Sequence, residues 1–173
     1  MIIKPATMLS EFLQIHQLNY KTFVEEIPQH QHNPEKKLVD KFHNKNKYII
    51  AKREETVIGM VSYNCERPFS LDEKITNLDQ YLPKHSKLAE IRLLSVSTEE
   101  RKTMVAYRLL QYLSIKLIHL GIDAAVISGT TRQLQLYSRI GFIPFGTLVG
   151  SGEASYQPMY VTLNELRNDF RNS

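Results

Sequence analysis

Apolar residues recur along this chain with two different periods, and the changes of period divide it into elements. Between 8 and 26, Leu9, Phe12, Leu13, His16, Tyr20, Phe23 and Val24 fall at three- and four-residue spacings, the stripe of an amphipathic helix that Pro28 ends. A second, shorter helix is expected over 34–42, where Pro34 suits the first position and Leu38, Val39 and Phe42 share a face. The β-rich runs 47–53 and 56–63, separated by Glu54 and Glu55, predict an antiparallel hairpin. Residues 64–87 carry Pro68 and Pro83 and little periodicity, so they are expected to form a surface insertion with a short helix near 70–75.

The second half is more regular. LAEIRLLSV over 88–96 predicts a strand, and 99–120 the longest helix, with Val105, Leu109, Leu113, Leu117 and Leu120 as its buried stripe. Ser97 with Glu100 has the spacing of a capping box, and Gly121 follows the last apolar turn where a left-handed residue is wanted. A strand over 122–128, a helix over 131–140 ending at Gly141, strands over 142–149 and 156–163, and a polar C-terminal helix complete the pattern. Strand, long helix, strand implies a right-handed parallel crossover, whereas the hairpins imply antiparallel neighbours. The expected class is therefore α/β (α+β), with a mixed, mostly antiparallel sheet flanked by helices, in a single domain over 1–173.

Composition narrows the chemistry. Among 173 residues, 22 Lys and Arg against 18 Asp and Glu leave a net charge of +4. Acidic and basic residues interleave, so a basic local pocket is expected and a nucleic-acid partner is not. The lysines at 36, 37, 41, 45 and 47 read as a solvated face. One cysteine, Cys65, excludes an internal disulfide and fits a reducing compartment. The first residues lack the apolar core of a secretory signal, and 109–120 is interrupted by Gln111, Lys116 and His119, so a cytoplasmic protein without a membrane span is expected. His30 and His32 lack a third metal ligand, and no metal site is assigned.

The junction 88–110 is where chemistry shows. A strand passes through a basic turn into a helix whose first N–H groups and dipole favour an anion, and Arg101 and Lys102 add charge; a solvated first turn is the alternative. Together with TTRQLQLYSRIGF over 130–142, this arrangement resembles the GCN5-related N-acetyltransferase superfamily (GNAT) over about 47–150. The resemblance implies an acyl-CoA-dependent N-acyltransferase that moves an acetyl or other acyl group to a primary amine. The acyl-CoA would be wedged between strands 88–96 and 122–128, with the amine entering beside the first helices. Its pyrophosphate loop corresponds to Arg101, Lys102, Thr103, Met104, Val105 and Ala106, with Met104 in place of the first family glycine. Leu94, Ser95 and Val96 on the strand and Thr131 beyond the second strand complete the implied cofactor contacts. Leu136, Tyr137, Gly141 and Phe142 match the pattern that follows.

By the same resemblance, Tyr137 would protonate the departing thiolate, a task suited to a hydroxyl with a pKa near ~10; anchoring the helix is its other reading. Glu90, six residues before Val96, stands where histone-acetylating members place a general base, although a structural pair with Arg92 on the same face is equally open. Tyr20, Phe23 and Glu25, with EIRLLSV, are similar to acyl-homoserine-lactone and long-chain N-acyl amino acid synthases. Those relatives use acyl-carrier protein or long acyl-CoA, which supplies a second reading. A noncatalytic acyl-CoA-binding module is a third. The acceptor and the oligomeric state, homodimer included, stay open.

Overall fold

The computed structural model describes residues 1–166. Seven strands form one mixed sheet in the order β1-β2-β3-β4-β5-β7-β6. The chain divides into two compact units, Met1–Tyr63 with Leu93–Tyr112, and Asn64–Arg92 with Leu113 onward, so strand β4 (Leu88–Val96) and helix α3 (Val105–His119) contribute to both.

The first unit begins with β1 (Ile2–Pro5), a strand unforeseen in the sequence, and α1 (Leu9–Tyr20), which runs on as a π-helical stretch over Lys21–Glu26. The helical span 8–26 is thus as expected, and Tyr20, Phe23 and Val24 are buried as expected, but the face of the first turns is not. Leu9 and Leu13 are exposed, and Glu11, Ile15, Leu18 and Asn19 are buried instead. The offset follows from Glu11, which is drawn inward by Lys4 at 2.8 Å and Lys52 at 3.2 Å. No helix forms over 34–42; that segment crosses α1 as a strap, the Leu38 N–H donating to the His16 carbonyl at 3.0 Å. Strands β2 (Lys47–Arg53) and β3 (Thr56–Asn64) form the expected hairpin, with Glu54 left-handed in its turn. Ile15, Leu18, Tyr48, Ile50, Val57 and Met60 make the core.

In the second unit, α2 (Ser70–Lys74) lies where the insertion was expected to turn helical. The first residues of β4 (Leu88–Val96) pair in parallel with β5 (Ala124–Thr130), as the crossover requires. Beyond β5 come a tight 3-10 turn over Thr131–Gln133, α4 (Leu134–Ile140), a two-residue β6 (Ile143–Pro144) and β7 (Tyr156–Thr162). The strand expected over 142–149 shrinks to those two residues. Phe69, Leu71, Leu78, Leu88, Ala124, Val126 and Phe145 form this core. The chain is helical again over 163–166, and the rest of the expected C-terminal helix lies outside the described residues. No described helix is long and apolar enough to cross a membrane.

Helix α3 (Val105–His119) begins six residues later than the capping-box spacing implied, and Leu120 lies beyond its end, 49% exposed rather than buried. Gly121 follows in a left-handed conformation, as its position predicts.

Candidate active site

The first unit holds the implied cofactor loop. Leu94, Ser95 and Val96 are buried on β4, and the strand is bent just before them at Leu93, whose φ of 59° is rare for a branched residue and stores strain. The β4–β5 ladder has already ended at Ile91 opposite Ile127. Nothing in the sequence marks this bend, because neither glycine nor asparagine stands there. From Ser97 the chain makes a 3-10 turn over Thr98–Glu100 and four further residues before α3.

Glu100 holds this loop together rather than capping the helix. Its carboxylate is buried in an ion pair with Arg53 and accepts the Thr103 hydroxyl at 3.3 Å. Thr103 takes over the cap: its Oγ1 accepts the Val105 N–H at 3.3 Å while donating to the Glu100 carbonyl at 2.6 Å. Of the two cations, Arg101 is paired with Glu26, and Lys102 is exposed. Met104 is 56% exposed, and Val105 is buried. Gly59 on β3 sets how closely α3 approaches: a Cβ there would meet Val105 at 3.0 Å and Leu109 at 3.1 Å. Ser95 turns its hydroxyl to Thr22, so its side chain is committed to the first helix.

The second unit holds the two expected catalytic residues. Tyr137 on α4 is 3% exposed, with its ring edge-on to Phe142 at 5.7 Å. Gly129 on β5 makes room for it, since a Cβ would lie 3.1 Å from the ring and 3.2 Å from both Leu134 and Met159. Burial pushes the Tyr137 hydroxyl well above its ordinary value, with Arg132 opposing weakly, so it keeps its proton at neutral pH. Thr131 is exposed at the start of the turn before α4.

Glu90 is 1% exposed on β4. Burial raises its pKa, against the opposing pull of Arg92 and three hydrogen bonds. Those bonds come from α2: the Ser70 N–H at 3.0 Å, the Ser70 hydroxyl at 2.9 Å and the Leu71 N–H at 3.0 Å. Arg92, the partner expected from the sequence, is in ion-pair range, its Nε 3.7 Å from Oε1. Ser70 is the residue that sequence reading missed, because an insertion folding back onto a strand twenty residues away leaves no local pattern.

The remaining candidates are accounted for locally. The His32 ring meets the Tyr20 hydroxyl at 3.1 Å. Burial and Glu66 push the exposed Cys65 thiol up, away from the reactive thiolate. Among the described residues no group of three His, Cys, Asp or Glu side chains is placed to hold a metal ion.

This sheet order, with a strand feeding a loop and long helix and a tyrosine-bearing helix after the next strand, is the GNAT acyltransferase fold. Solved structures agree. A CoA-dependent acyl-homoserine lactone synthase, BjaI, bound to SAM and isopentyl-CoA, is 19% identical with a TM-score of 0.73, covering 92% of this chain and 82% of that one. FeeM, an N-acyl amino acid synthase from uncultured soil microbes, is 15% identical with a TM-score of 0.73, covering 96% and 93%. An aminoglycoside 6'-N-acetyltransferase complexed with coenzyme A is 14% identical with a TM-score of 0.66, covering 94% and 97%. No curated protein sequence matches the chain. The family profile for the N-acyl amino acid synthase FeeM matches residues 14–161, and the chain belongs to that family. It is an acyltransferase, and the synthase resemblance carried by the first helix and EIRLLSV points to the right branch.

Proposed function

We propose that this enzyme joins a long acyl group, carried as a CoA thioester, to the α-amine of an amino acid. The family match over 14–161 carries this reading and favours it over simple acetyl transfer. The donor set of the loop fits a diphosphate: exposed Lys102, the start of α3 with its helix dipole, and a loop braced from within by Glu100 and Thr103. Met104 keeps a backbone N–H in place of the family glycine and turns its side chain outward. The thioester supplies the activated acyl carbon.

An amino acid reaches the enzyme largely as an ammonium ion, which has no lone pair for attack, so one proton must leave it. Burial raises the Glu90 pKa above the ordinary carboxylate value, which makes it a better proton acceptor, but at 1% exposure it is out of direct reach. The half-buried Ser70 hydroxyl, which donates to its Oε2, is the outer end of the route by which that proton arrives. Tyr137, a hydroxyl that holds its proton at neutral pH, is the donor to the departing thiolate. The whole chain 1–173 acts as one acyltransferase domain in this reading.

The test incubates the protein with CoA thioesters from two to sixteen carbons and a panel of amino acids, measuring free thiol and identifying products by mass spectrometry. We expect N-acyl amino acids, favouring the longer chains. Turnover with acetyl-CoA and simple amines alone would overturn the synthase reading. If no thioester is consumed while coenzyme A still raises Tm, the protein is a binding module instead.

A further inference from the structure

The apolar residues that packing leaves outside on α1 gather on one side of it. Leu9, at 90% exposure, and exposed Leu13 are one helical turn apart, with exposed Met8 just before them. Each leucine stands three residues before one that meets the strap. Phe12 follows Leu9 and lies edge-on to His43 at 6.1 Å, and His16 follows Leu13 and accepts the Leu38 N–H on its carbonyl at 3.0 Å. The strap adds Val39, which is exposed next to half-buried Leu38.

The same stretch carries most of the net charge. Between 33 and 47 the five lysines at 36, 37, 41, 45 and 47 face only Glu35 and Asp40, so +3 of the chain's +4 falls there. Lys36, Lys37, Lys41 and Lys47 are exposed, and they form no helix face, since no helix forms over 34–42. Asp40 is turned to its own segment, accepting the Phe42 N–H at 3.0 Å and the Asn46 Nδ2 at 2.9 Å, while the His43 ring meets the Tyr48 hydroxyl at 2.8 Å. Glu54 and Glu55 lie on another side of α1, where the Gln14 side chain donates to the Glu55 carbonyl at 3.1 Å. An exposed apolar face rimmed by charge of one sign marks a contact surface.

We propose that this face of the first unit, Leu9, Leu13 and Val39 with the strap lysines beside them, docks on an anionic lipid surface. The aliphatic side chains enter the boundary between headgroups and acyl chains, and the lysines meet the lipid phosphates and carboxylates, so α1 lies along the surface without crossing it. Positive charge selects an anionic surface over a neutral one. Flexible amines and protruding aliphatic side chains need no partner of fixed shape, which a fluid headgroup layer satisfies better than a protein. A long acyl thioester and its N-acyl product are amphiphiles that collect at such a surface. That benefit rests on the synthase reading, whereas the docking itself does not.

The test sediments the full chain with vesicles of phosphatidylcholine alone and of phosphatidylcholine containing one quarter phosphatidylserine. Partition should be at least tenfold stronger on the anionic vesicles and fall steeply with added salt. Leu9→Gln with Leu13→Gln, and separately Lys36→Gln with Lys37→Gln, should each weaken it at least tenfold at unchanged Tm, because all four side chains are exposed. The chain contains no tryptophan, so Leu9→Trp supplies a single reporter whose emission should shift to the blue on the anionic vesicles. Absence of partition, partition that either pair of substitutions leaves intact, or bound Leu9→Trp protein with unshifted emission would overturn the proposal. Retention on a polyglutamate matrix without partition into vesicles would assign the face to an acidic protein and overturn it too. The synthase reading is judged by the products formed in solution and survives any of these failures.

Discussion

The two units each bury a glutamate almost completely, Glu11 at 0% and Glu90 at 1% exposure, yet the two carboxyls are pushed in opposite directions. Burial raises both. In the first unit Lys4, the N–H groups of Thr7 and Met8, and Lys52 outweigh it and hold Glu11 down at about 2. In the second unit Arg92 at 3.7 Å opposes burial most, the hydrogen-bond donors are neutral, and burial prevails, so Glu90 is raised. Depth of burial therefore does not decide which acid can do chemistry; the charge of its partners does. Glu11 is fixed as an anion that ties β1, α1 and β2 together, and Glu90 remains able to exchange a proton.

The largest expected effect lies with the second unit's other buried acid. Tyr137→Phe keeps the ring against Phe142 and removes the hydroxyl, so kcat should fall ~10²- to 10⁴-fold with little change in Tm. A fall in Tm with turnover preserved would make Tyr137 an anchor. Next comes Glu11→Gln, which removes the nearer anion of Lys52 and leaves it Glu55 at 3.5 Å, and should lower stability in denaturant unfolding while kcat of the folded enzyme holds. The native carboxyl titrates near 2, against 4.5 for the unexceptional group, so this deficit is full above pH 4.5 and closes as pH falls toward 2. Glu90→Gln is the smaller perturbation of stability, and its pH dependence has the other sign. A raised native pKa makes the charged form costly to the fold, so the variant gains on the wild type as pH rises above 4.5. The same variant should lose the acidic limb of the kcat/KM profile.

Elements held by local signals were legible in the sequence. The β2–β3 hairpin needed only its two β-rich runs and a charged turn, and α4 ended at Gly141, left-handed at φ 111°, where its position predicted. Elements decided by distant partners were not. β1 is four residues long and exists through pairing with β2, and Glu100 abandons the helix it was spaced to cap because the hairpin delivers Arg53. The inward turn of α1 followed from two lysines closing on Glu11, a contact that no apolar period encodes. The places of Glu90 on β4 and Tyr137 on α4 could be read from the sequence, but the Ser70 hydrogen bonds to Glu90 and the bend at Leu93 could not. Each of these arises from tertiary placement.

The contrast between the two glutamates can be measured directly by carbon-13 NMR titration of the glutamate side-chain carboxyls, assigned by the loss of one resonance each in Glu11→Gln and Glu90→Gln. The Glu11 resonance is expected to titrate near 2 and the Glu90 resonance above 4.5. A Glu90 resonance at or below 4.5 would show that Arg92 and the hydrogen bonds from Ser70 and Leu71 outweigh burial, and would contradict the assignment of Glu90 as the base.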